Sequence, residues 1–247
     1  MQHFFVRPDQ VSQECITIEG LDVNHIRSVL RMKVGEQIKV SDGHNGSYLC
    51  KISQINADCV LAQVLEVQAC NTELASKIYL FQGIPKGDKM ELVVQKAVEL
   101  GVHQIIPVLT NRCVVKLDDR KSLKKVERWN SIALSGAKQS GRAIIPEVTS
   151  VMSYKQALSY ADQMGIAVRL IPYELAEGMG ETKAAIGQLK EGQSIGVFIG
   201  PEGGFDKQEV EACVRIGAKP ITLGKRILRT ETAGLAILSI LMYHIEQ

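Results

Sequence analysis

Strand and helix patterns alternate along the C-terminal two-thirds of the sequence, and this alternation most constrains the fold. Six short apolar runs, separated by helical patterns, lie near 78–84, 104–110, 144–148, 166–172, 194–200 and 219–223. Strands that are joined by helices form a mainly parallel sheet with helices on both faces. We therefore expect an α/β domain over residues 73–247, after a polar connection at 71–76.

A glycine-rich loop, GPEGG at 200–204, follows the apolar run at 194–200. Asp206, with Glu209 three residues later, has the spacing of a capping box, so a helix is predicted to begin directly after the loop. A loop between a strand end and a helix N-terminus gathers backbone N–H groups that have no helical partner. This loop is therefore a candidate ligand-binding element.

The loop after the run at 219–223 repeats this arrangement. Gly224 begins it, three basic residues follow, and Thr230 is placed to cap a helix from Glu231. Two such loops at the carboxyl ends of parallel strands border the crevice in which open α/β sheets bind ligands. The sequence excludes a P-loop here, because GKR lacks both the upstream glycine and the following Ser or Thr.

The motifs GPEGGF and LGKRILRTETA, in this order near the end of the chain, resemble the signature motifs of the SPOUT-class methyltransferases, and specifically of the RsmE family. The resemblance implies a C-terminal domain with a trefoil knot and a small N-terminal PUA-like domain. It also implies that S-adenosylmethionine donates a methyl group to N3 of a uridine in small-subunit 16S ribosomal RNA. A homodimer formed through the knotted domain is expected in this class.

The expected cofactor site lies between the two glycine loops, with a contribution from the end of the strand near 166–172. Glycines at 200 and 224 allow close approach of the backbone, and apolar side chains at 223, 227 and 228 offer walls. The predicted cofactor-binding residues are Pro172, Glu174, Ile199, Gly200, Glu202, Gly203, Leu223, Gly224, Ile227, Leu228, Thr230, Glu231, Thr232 and Ala233.

Residues 1–72 carry mostly strand signals. The β-rich runs at 15–18, 37–41, 47–55 and 59–67 predict a small β-barrel. One helix interrupts them, with Val23, Ile26 and Leu30 on one face and Asp22 as a possible cap. The stretch HIRSVLRMKVGE at 25–36 resembles the start of the family's PUA-like RNA-binding domain. Its Arg27 and Arg31 are RNA-binding candidates by that resemblance, whereas the pattern alone favours a solvated helix face.

A basic segment lies between 112 and 142, although the net charge of the whole chain is only +2. Phosphate contacts from such residues supply much of the affinity for RNA. The resemblance has two departures: Cys113 occupies the position of a family serine, and Lys138 occupies the position of a family glutamate. The roles of that serine and that glutamate are therefore not carried over to this chain. The predicted RNA-binding residues are Arg27, Arg31, Lys86, Lys89, Arg112, Gln139 and Arg142.

Methylation at N3 requires that the uracil lose its imide proton and that negative charge on its oxygens be stabilised. Glu202, in the glycine loop, is the candidate base or orienting carboxylate. Arg229 or Arg142 is the candidate donor to the uracil oxygens. The alternative for Glu202 is a structural one, in which it pairs with an arginine and shapes the loop.

The histidines, the cysteines and the apolar segments indicate whether the protein binds metal, forms disulfides or enters a membrane. Five scattered histidines show no ligand spacing, so no metal is expected. The six cysteines form no C-x-x-C pair and are expected to be reduced thiols. The N-terminal residues lack a signal-peptide core, and the apolar stretch at 233–245 is shorter than a membrane span. We therefore expect a cytoplasmic protein.

The last helix, from Glu231, is apolar around most of its circumference, so a second subunit is its natural cover. Two alternatives to the main interpretation remain. One is a related methyltransferase that acts on another RNA position, such as a ribose 2′-hydroxyl. The other is a non-catalytic RNA-binding protein in which the glycines serve only turns.

Overall fold

The computed structural model describes residues 1–69, 71–174, 176 and 178–246, and the chain divides into two compact units. The first comprises Met1–Glu73 and Ala137–Ile145, and the second comprises Leu74–Gly136 and Pro146–Gln247. The sequence analysis assigned residues 137–145 to the C-terminal domain, so their membership of the first unit was not anticipated.

The first unit contains one five-stranded sheet with the order β1-β3-β4-β5-β2. β1 pairs with β3 in parallel, and the other neighbours are antiparallel. The predicted small barrel is thus a half-barrel, with β1 and β2 at its edges. The strands are β1 (Gln2–Phe5), β2 (Cys15–Glu19), β3 (Gln37–Ser41), β4 (Ser47–Ile55) and β5 (Cys59–Gln68).

The predicted helix around residues 23–30 is shorter and less regular than expected. It consists of α1 (Leu21–Asn24) followed by a π-helical turn (His25–Val29). Val23 and Ile26 are buried against the sheet, as the apolar face predicted. Asp22 does not cap this helix, because Gly20 holds the N-cap position and the Asp22 carboxylate instead pairs with Lys138.

The segment Ala137–Ile145 is attached to the first unit by polar contacts. Lys39 Nζ and Thr72 Oγ1 both donate to the Gly141 carbonyl, at 2.8 and 3.3 Å. Glu73 accepts hydrogen bonds from the Arg142 guanidinium and from the backbone N–H groups of Ala143 and Ile144. The strand that was predicted at 144–148 begins only at Glu147 in the structure, and the Ile144 N–H bonds Glu73 instead of a neighbouring strand.

The second unit contains a parallel sheet with the order β12-β10-β11-β6-β7-β8, and β9 pairs separately with β7. This arrangement confirms the predicted α/β class. Its strands are β6 (Lys77–Gly83), β7 (Gln104–Leu109), β8 (Glu147–Val148), β9 (Met152–Ser153), β10 (Val168–Pro172), β11 (Ser194–Ile199) and β12 (Lys219–Ile221).

The central strands β6 and β11 are buried on both faces, which explains their continuous apolar sequences. Phe81 and Phe198 stack across this pair with ring centroids 4.3 Å apart. From β6 the chain continues to β7 and β8 on one side of the sheet, and β10 and β12 lie on the other side of β11. The strand order therefore runs outward in both directions from the adjacent strands β6 and β11. Open α/β sheets bind ligands at such a switch point, in the crevice beyond the carboxyl ends of the strands.

The helices of the structure include α2 through α7, and the predicted capping box at the start of α6 is confirmed. Asp206 Oδ1 accepts from the Glu209 N–H at 2.8 Å, and Glu209 Oε2 accepts from the Asp206 N–H at 3.0 Å. These helices are α2 (Lys89–Glu99), α3 (Asp119–Ser140), α4 (Tyr154–Gln163), α5 (Met179–Gly187), α6 (Lys207–Arg215) and α7 (Thr230–Ile245).

The prediction that Thr230 caps α7 is wrong. Arg229 occupies the N-cap position, no side chain caps the helix, and Thr230 is its first residue. Along α7, Ile237, Leu238 and Leu241 are buried within this chain, whereas Ile240 and Tyr243 are exposed. One apolar stripe of the helix is therefore covered by its own unit.

Within the described residues, no helix is both long enough and apolar enough to cross a membrane. The described cysteines carry free thiols, in agreement with the expectation of reduced cysteines. Cys70 lies outside the described residues.

Candidate functional site

A cleft in the second unit opens at the carboxyl ends of the parallel strands. Pro172 of β10, Ile199 of β11 and Ala233 of α7 are among the residues that line it. Its full lining is Pro172, Tyr173, Glu174, Ile199, Gly200, Pro201, Glu202, Gly203, Gly204, Phe205, Thr222, Leu223, Gly224, Arg226, Ile227, Leu228, Thr230 and Ala233.

The structure brings the residues predicted for the cofactor into one place. All of them line this cleft except Glu231 and Thr232, which lie on the first turn of α7 outside the lining. Sequence reasoning did not include Tyr173, Pro201, Gly204, Phe205, Thr222 and Arg226. Five of these residues lie directly beside a predicted residue, and Phe205 ends the GPEGGF motif, so their positions were the available signal.

Two glycines make the close packing of the first loop possible. A Cβ atom on Gly83, at the end of β6, would lie 2.6 Å from the Pro201 nitrogen. A Cβ atom on Gly200 would lie 2.8 Å from the Gly204 carbonyl carbon. A side chain at position 200 would therefore collide with the loop itself. From the sequence alone, this glycine was explained only by close approach of a ligand.

The second loop depends on a glycine for another reason. Gly224 has φ 113°, a backbone conformation that L-residues with a side chain rarely adopt. Thr222 Oγ1 accepts a hydrogen bond from the Gly224 N–H at 3.2 Å, which closes the turn. The loop thereby turns back from β12 toward the start of α7.

The Glu202 carboxylate is held by groups at the start of α2. Glu202 Oε1 accepts from Lys89 Nζ at 2.9 Å and from the Lys86 N–H at 3.1 Å. Burial by itself raises the pKa of Glu202, but the hydrogen bonds from Lys89, from its own backbone and from Lys86 outweigh it and lower the pKa. Glu202 therefore pairs with a lysine, whereas the structural alternative in the sequence analysis named an arginine.

Lys89 also approaches a second carboxylate. Its Nζ atom lies 3.8 Å from Glu231 Oε2, a buried atom with no hydrogen-bond partner among the described residues. Lys89 was predicted to contact RNA, and in the structure its ammonium group lies between Glu202 and Glu231. An RNA contact by Lys89 would therefore compete with these carboxylates.

The loop after β7 packs against the glycine loop and the start of α6. Arg112 donates from Nη1 to the Gly203 carbonyl at 2.8 Å, and Asn111 Nδ2 donates to Asp206 Oδ2 at 2.6 Å. Arg112 remains exposed, so its other donors face solvent beside the cleft. Cys113 Sγ lies 3.4 Å from both Oγ1 and the N–H of Thr110, a contact that stabilises the turn.

The two candidate catalytic arginines have different environments. Arg229 is exposed at the N-cap of α7, next to Thr230 of the cleft lining. Arg142 belongs to the first unit, where it is buried and bonded to Glu73. A contact between Arg142 and uracil or RNA would require its guanidinium to leave Glu73.

The remaining predicted RNA-binding residues are accessible. Arg27, Arg31, Lys86 and Gln139 are all exposed. Arg31 has φ 52°, which is unusual for a residue with a side chain.

Among the residues that the structure describes, no group of three or more His, Cys, Asp or Glu side chains could hold a metal ion.

Comparison with known proteins matches two domains to this chain. The profile described as an RNA methyltransferase domain matches residues 72–242. A second profile, described as an RNA methyltransferase PUA domain, matches residues 18–65.

Among curated relatives, the ribosomal RNA small subunit methyltransferase E of Bacillus subtilis is 39% identical over 252 residues, covering 100% of this chain and 98% of the relative. The solved Neisseria gonorrhoeae protein of the same name, bound to S-adenosyl methionine, has a TM-score of 0.84 at 31% identity, with 98% and 97% of the two chains covered. A Legionella pneumophila protein solved in complex with the cofactor SAM has a TM-score of 0.85 at 32% identity, covering 98% and 96%.

Proposed function

The chain belongs to the ribosomal RNA small subunit methyltransferase E family, and on that basis we propose that it transfers the methyl group of S-adenosylmethionine to N3 of a uridine in 16S ribosomal RNA. The observation that carries this proposal is the cleft at the carboxyl ends of β10 and β11, which unites two glycine loops distant in sequence. Solved relatives with similar folds bind S-adenosylmethionine, which supports the same cofactor here.

The cleft residues suit this cofactor chemically. Leu223, Ile227 and Leu228 offer apolar walls, and the backbone of the loop from Gly224 offers polar groups for an adenine edge. Glu174 and Glu202 supply negative charge within the lining. Bound in this cleft, S-adenosylmethionine supplies an electrophilic methyl group on a cationic sulfur.

Glu202 is proposed to act on the uracil imide. Its lowered pKa keeps the carboxylate ionised at neutral pH, so it can accept a hydrogen bond from N3–H and orient the base. The same lowered pKa makes it a weaker base, which favours orientation over complete removal of the proton. Arg229 is proposed to donate to the uracil oxygens as negative charge develops on them.

RNA contacts are proposed for the predicted set of Arg27, Arg31, Lys86, Lys89, Arg112, Gln139 and Arg142. Arg112 is the member best supported for a role near the cleft, because it bonds Gly203 and remains exposed. Lys89 and Arg142 would each have to exchange a carboxylate partner for RNA. Residues 1–72 are proposed as the PUA-like RNA-binding domain, and residues 73–247 as the knotted methyltransferase domain.

We further propose a homodimer formed through α7, in the cytoplasm, where ribosomal RNA is available to it. The exposed side chains of Ile240 and Tyr243 support a partner surface on this helix. Light scattering at micromolar concentration is expected to give the mass of two chains. A monomeric mass with full activity would contradict the dimer.

The test of the proposed function is transfer of a labelled methyl group from S-adenosylmethionine to purified ribosomal RNA or small subunits. The label is expected in the small-subunit RNA and not in the large-subunit RNA. Ala233→Leu, which places a larger side chain in the cleft lining, is expected to abolish transfer while the protein stays folded. Transfer to neither RNA, with intact cofactor binding, would contradict the proposed substrate.

A further inference from the structure

A glutamine side chain lies fully buried at the end of the central strand β6, outside the cleft lining. Gln82 has no exposed surface, and its neighbours on β6 and β11 are almost all apolar. Its Nε2 atom donates at 2.9 Å to the Gly83 carbonyl and at 2.9 Å to Thr230 Oγ1. Gln82 Oε1 is buried with no hydrogen-bond partner among the described residues.

The chain of hydrogen bonds continues from Thr230 to the glycine loop. Thr230 uses its hydroxyl proton to donate to the Gly200 carbonyl at 2.5 Å, while the same oxygen accepts from Gln82. Gly200 begins the loop that carries Glu202, and Thr230 begins α7. One hydroxyl therefore joins the two loop systems that line the cleft.

A buried amide in an apolar core costs free energy, and more so when its oxygen has no hydrogen-bond donor. An aliphatic side chain of similar size would avoid this cost at a position that serves only packing. The hydrogen bond from Gln82 occupies one lone pair of the Thr230 hydroxyl and so favours the orientation in which the hydroxyl proton points to the Gly200 carbonyl.

We propose that Gln82 and Thr230 are positioning residues, which hold the Gly200–Gly204 loop in the geometry that binds the methyl donor. Gln82 does not line the cleft, so it acts on the bound molecule only through Thr230 and Gly83. This inference rests on the proposed function for the identity of the ligand, S-adenosylmethionine, but the loop geometry can be tested without it.

Thr230→Val keeps the shape of the side chain and removes the hydroxyl, and Thr230→Ser keeps the hydroxyl. Calorimetry with S-adenosylmethionine is expected to show about a tenfold increase in Kd for Thr230→Val, as for loss of one well-formed hydrogen bond. Thr230→Ser should restore the parent Kd to within about threefold. Gln82→Met, which keeps the Thr230 hydroxyl, should raise Kd by a smaller factor in the same direction.

Gln82→Met should raise Kd by a smaller factor in the Thr230→Val background than in the parent, because the two residues share one hydrogen bond. In methyl transfer, KM for the cofactor should rise with kcat nearly unchanged, since positioning of the loop affects binding of substrate and transition state alike. Parent-like Kd values for both Thr230→Val and Gln82→Met, or a Thr230→Ser variant as weak as Thr230→Val, would overturn the proposal.

Hydrogen exchange provides a measurement that does not depend on the ligand. The Gly204 N–H, which bonds the Pro201 carbonyl, should exchange faster in Thr230→Val than in the parent and in Thr230→Ser. Unchanged exchange in Thr230→Val would overturn the positioning role. A parent protein that fails to bind S-adenosylmethionine, with accelerated exchange in Thr230→Val, would refute the proposed function and leave the positioning inference supported.

Discussion

Removal of the Glu73 carboxylate is expected to destabilise the first unit strongly. Arg142 is 4% exposed at its side chain and Glu73 is 15% exposed, so the pair is largely shielded from water. Glu73 Oε2 lies 2.5 Å from Arg142 Nη2, and Glu73 Oε1 accepts from the N–H groups of Ala143 and Ile144 at 3.1 and 3.2 Å. Glu73→Ala deprives a buried guanidinium and two backbone donors of this acceptor at once.

Loss of one partner of a buried ion pair costs about 3–5 kcal/mol. We therefore expect Glu73→Ala to lower the free energy of unfolding by about that amount. Asp22→Ala is the matched control, because the Lys138–Asp22 pair joins the same segment but is 26% and 22% exposed. Its expected cost is about 1 kcal/mol, as for a partly solvated pair.

The assay is urea unfolding followed by circular dichroism, with the parent, Glu73→Ala, Arg142→Ala and the double variant. These four proteins form a double-mutant cycle, which is expected to give a coupling energy between Glu73 and Arg142 of about 2 kcal/mol or more. Amide exchange at Ala143 and Ile144 should accelerate in Glu73→Ala. A coupling energy below about 0.5 kcal/mol, together with reduced RNA affinity of folded Arg142→Ala, would refute the structural role and support an RNA contact.

Three further predictions concern other residues. Glu202→Gln, studied in single-turnover methylation at saturating RNA and cofactor, should be slowed by about 100-fold if the carboxylate orients or deprotonates N3, and a rate within a few-fold of the parent would remove it from the mechanism. Burial, with the positive charge of Lys39, lowers the pKa of His3 to about 4, so the unfolded chain takes up a proton before the folded one and stability should fall as pH drops from 6.5 to 4. His3→Gln should show a smaller fall over this window in thermal unfolding, and an identical fall would contradict the assignment. Arg31→Gly should retain the fold, because glycine tolerates φ 52°, while weakening RNA binding and reducing its salt dependence by about one unit of slope; unchanged binding would exclude Arg31 from the interface.

The local features of the fold were predictable from the sequence. The strands β3 and β4 and the capping box at Asp206 follow from signals within a few residues of one another. The buried strands β6 and β11 stand out as continuous apolar runs, and the glycine loops after β11 and β12 identified most of the cleft lining. Such patterns are short-range, so one sequence is enough to recognise them.

The features that were missed depend on contacts between distant parts of the chain. The predicted cap Thr230 instead bonds Gly200 and Gln82, and nothing within its own helix start indicates these partners. Arg142 stays a predicted RNA contact, but its pairing with Glu73 was not predicted, because Glu73 lies 69 positions earlier. The short edge strand β1 has too few residues to show alternation, and it pairs with β3 across a long separation.

The position of the transferred methyl group tests the central claim most directly. Small-subunit ribosomal RNA that lacks the modification is incubated with the protein and trideuteromethyl S-adenosylmethionine, digested to nucleosides and analysed by fragmentation mass spectrometry. The account predicts a labelled methyl group on the uracil base, in a nucleoside that co-elutes with 3-methyluridine. A label on the ribose fragment, or on a base that co-elutes with 5-methyluridine, would contradict it.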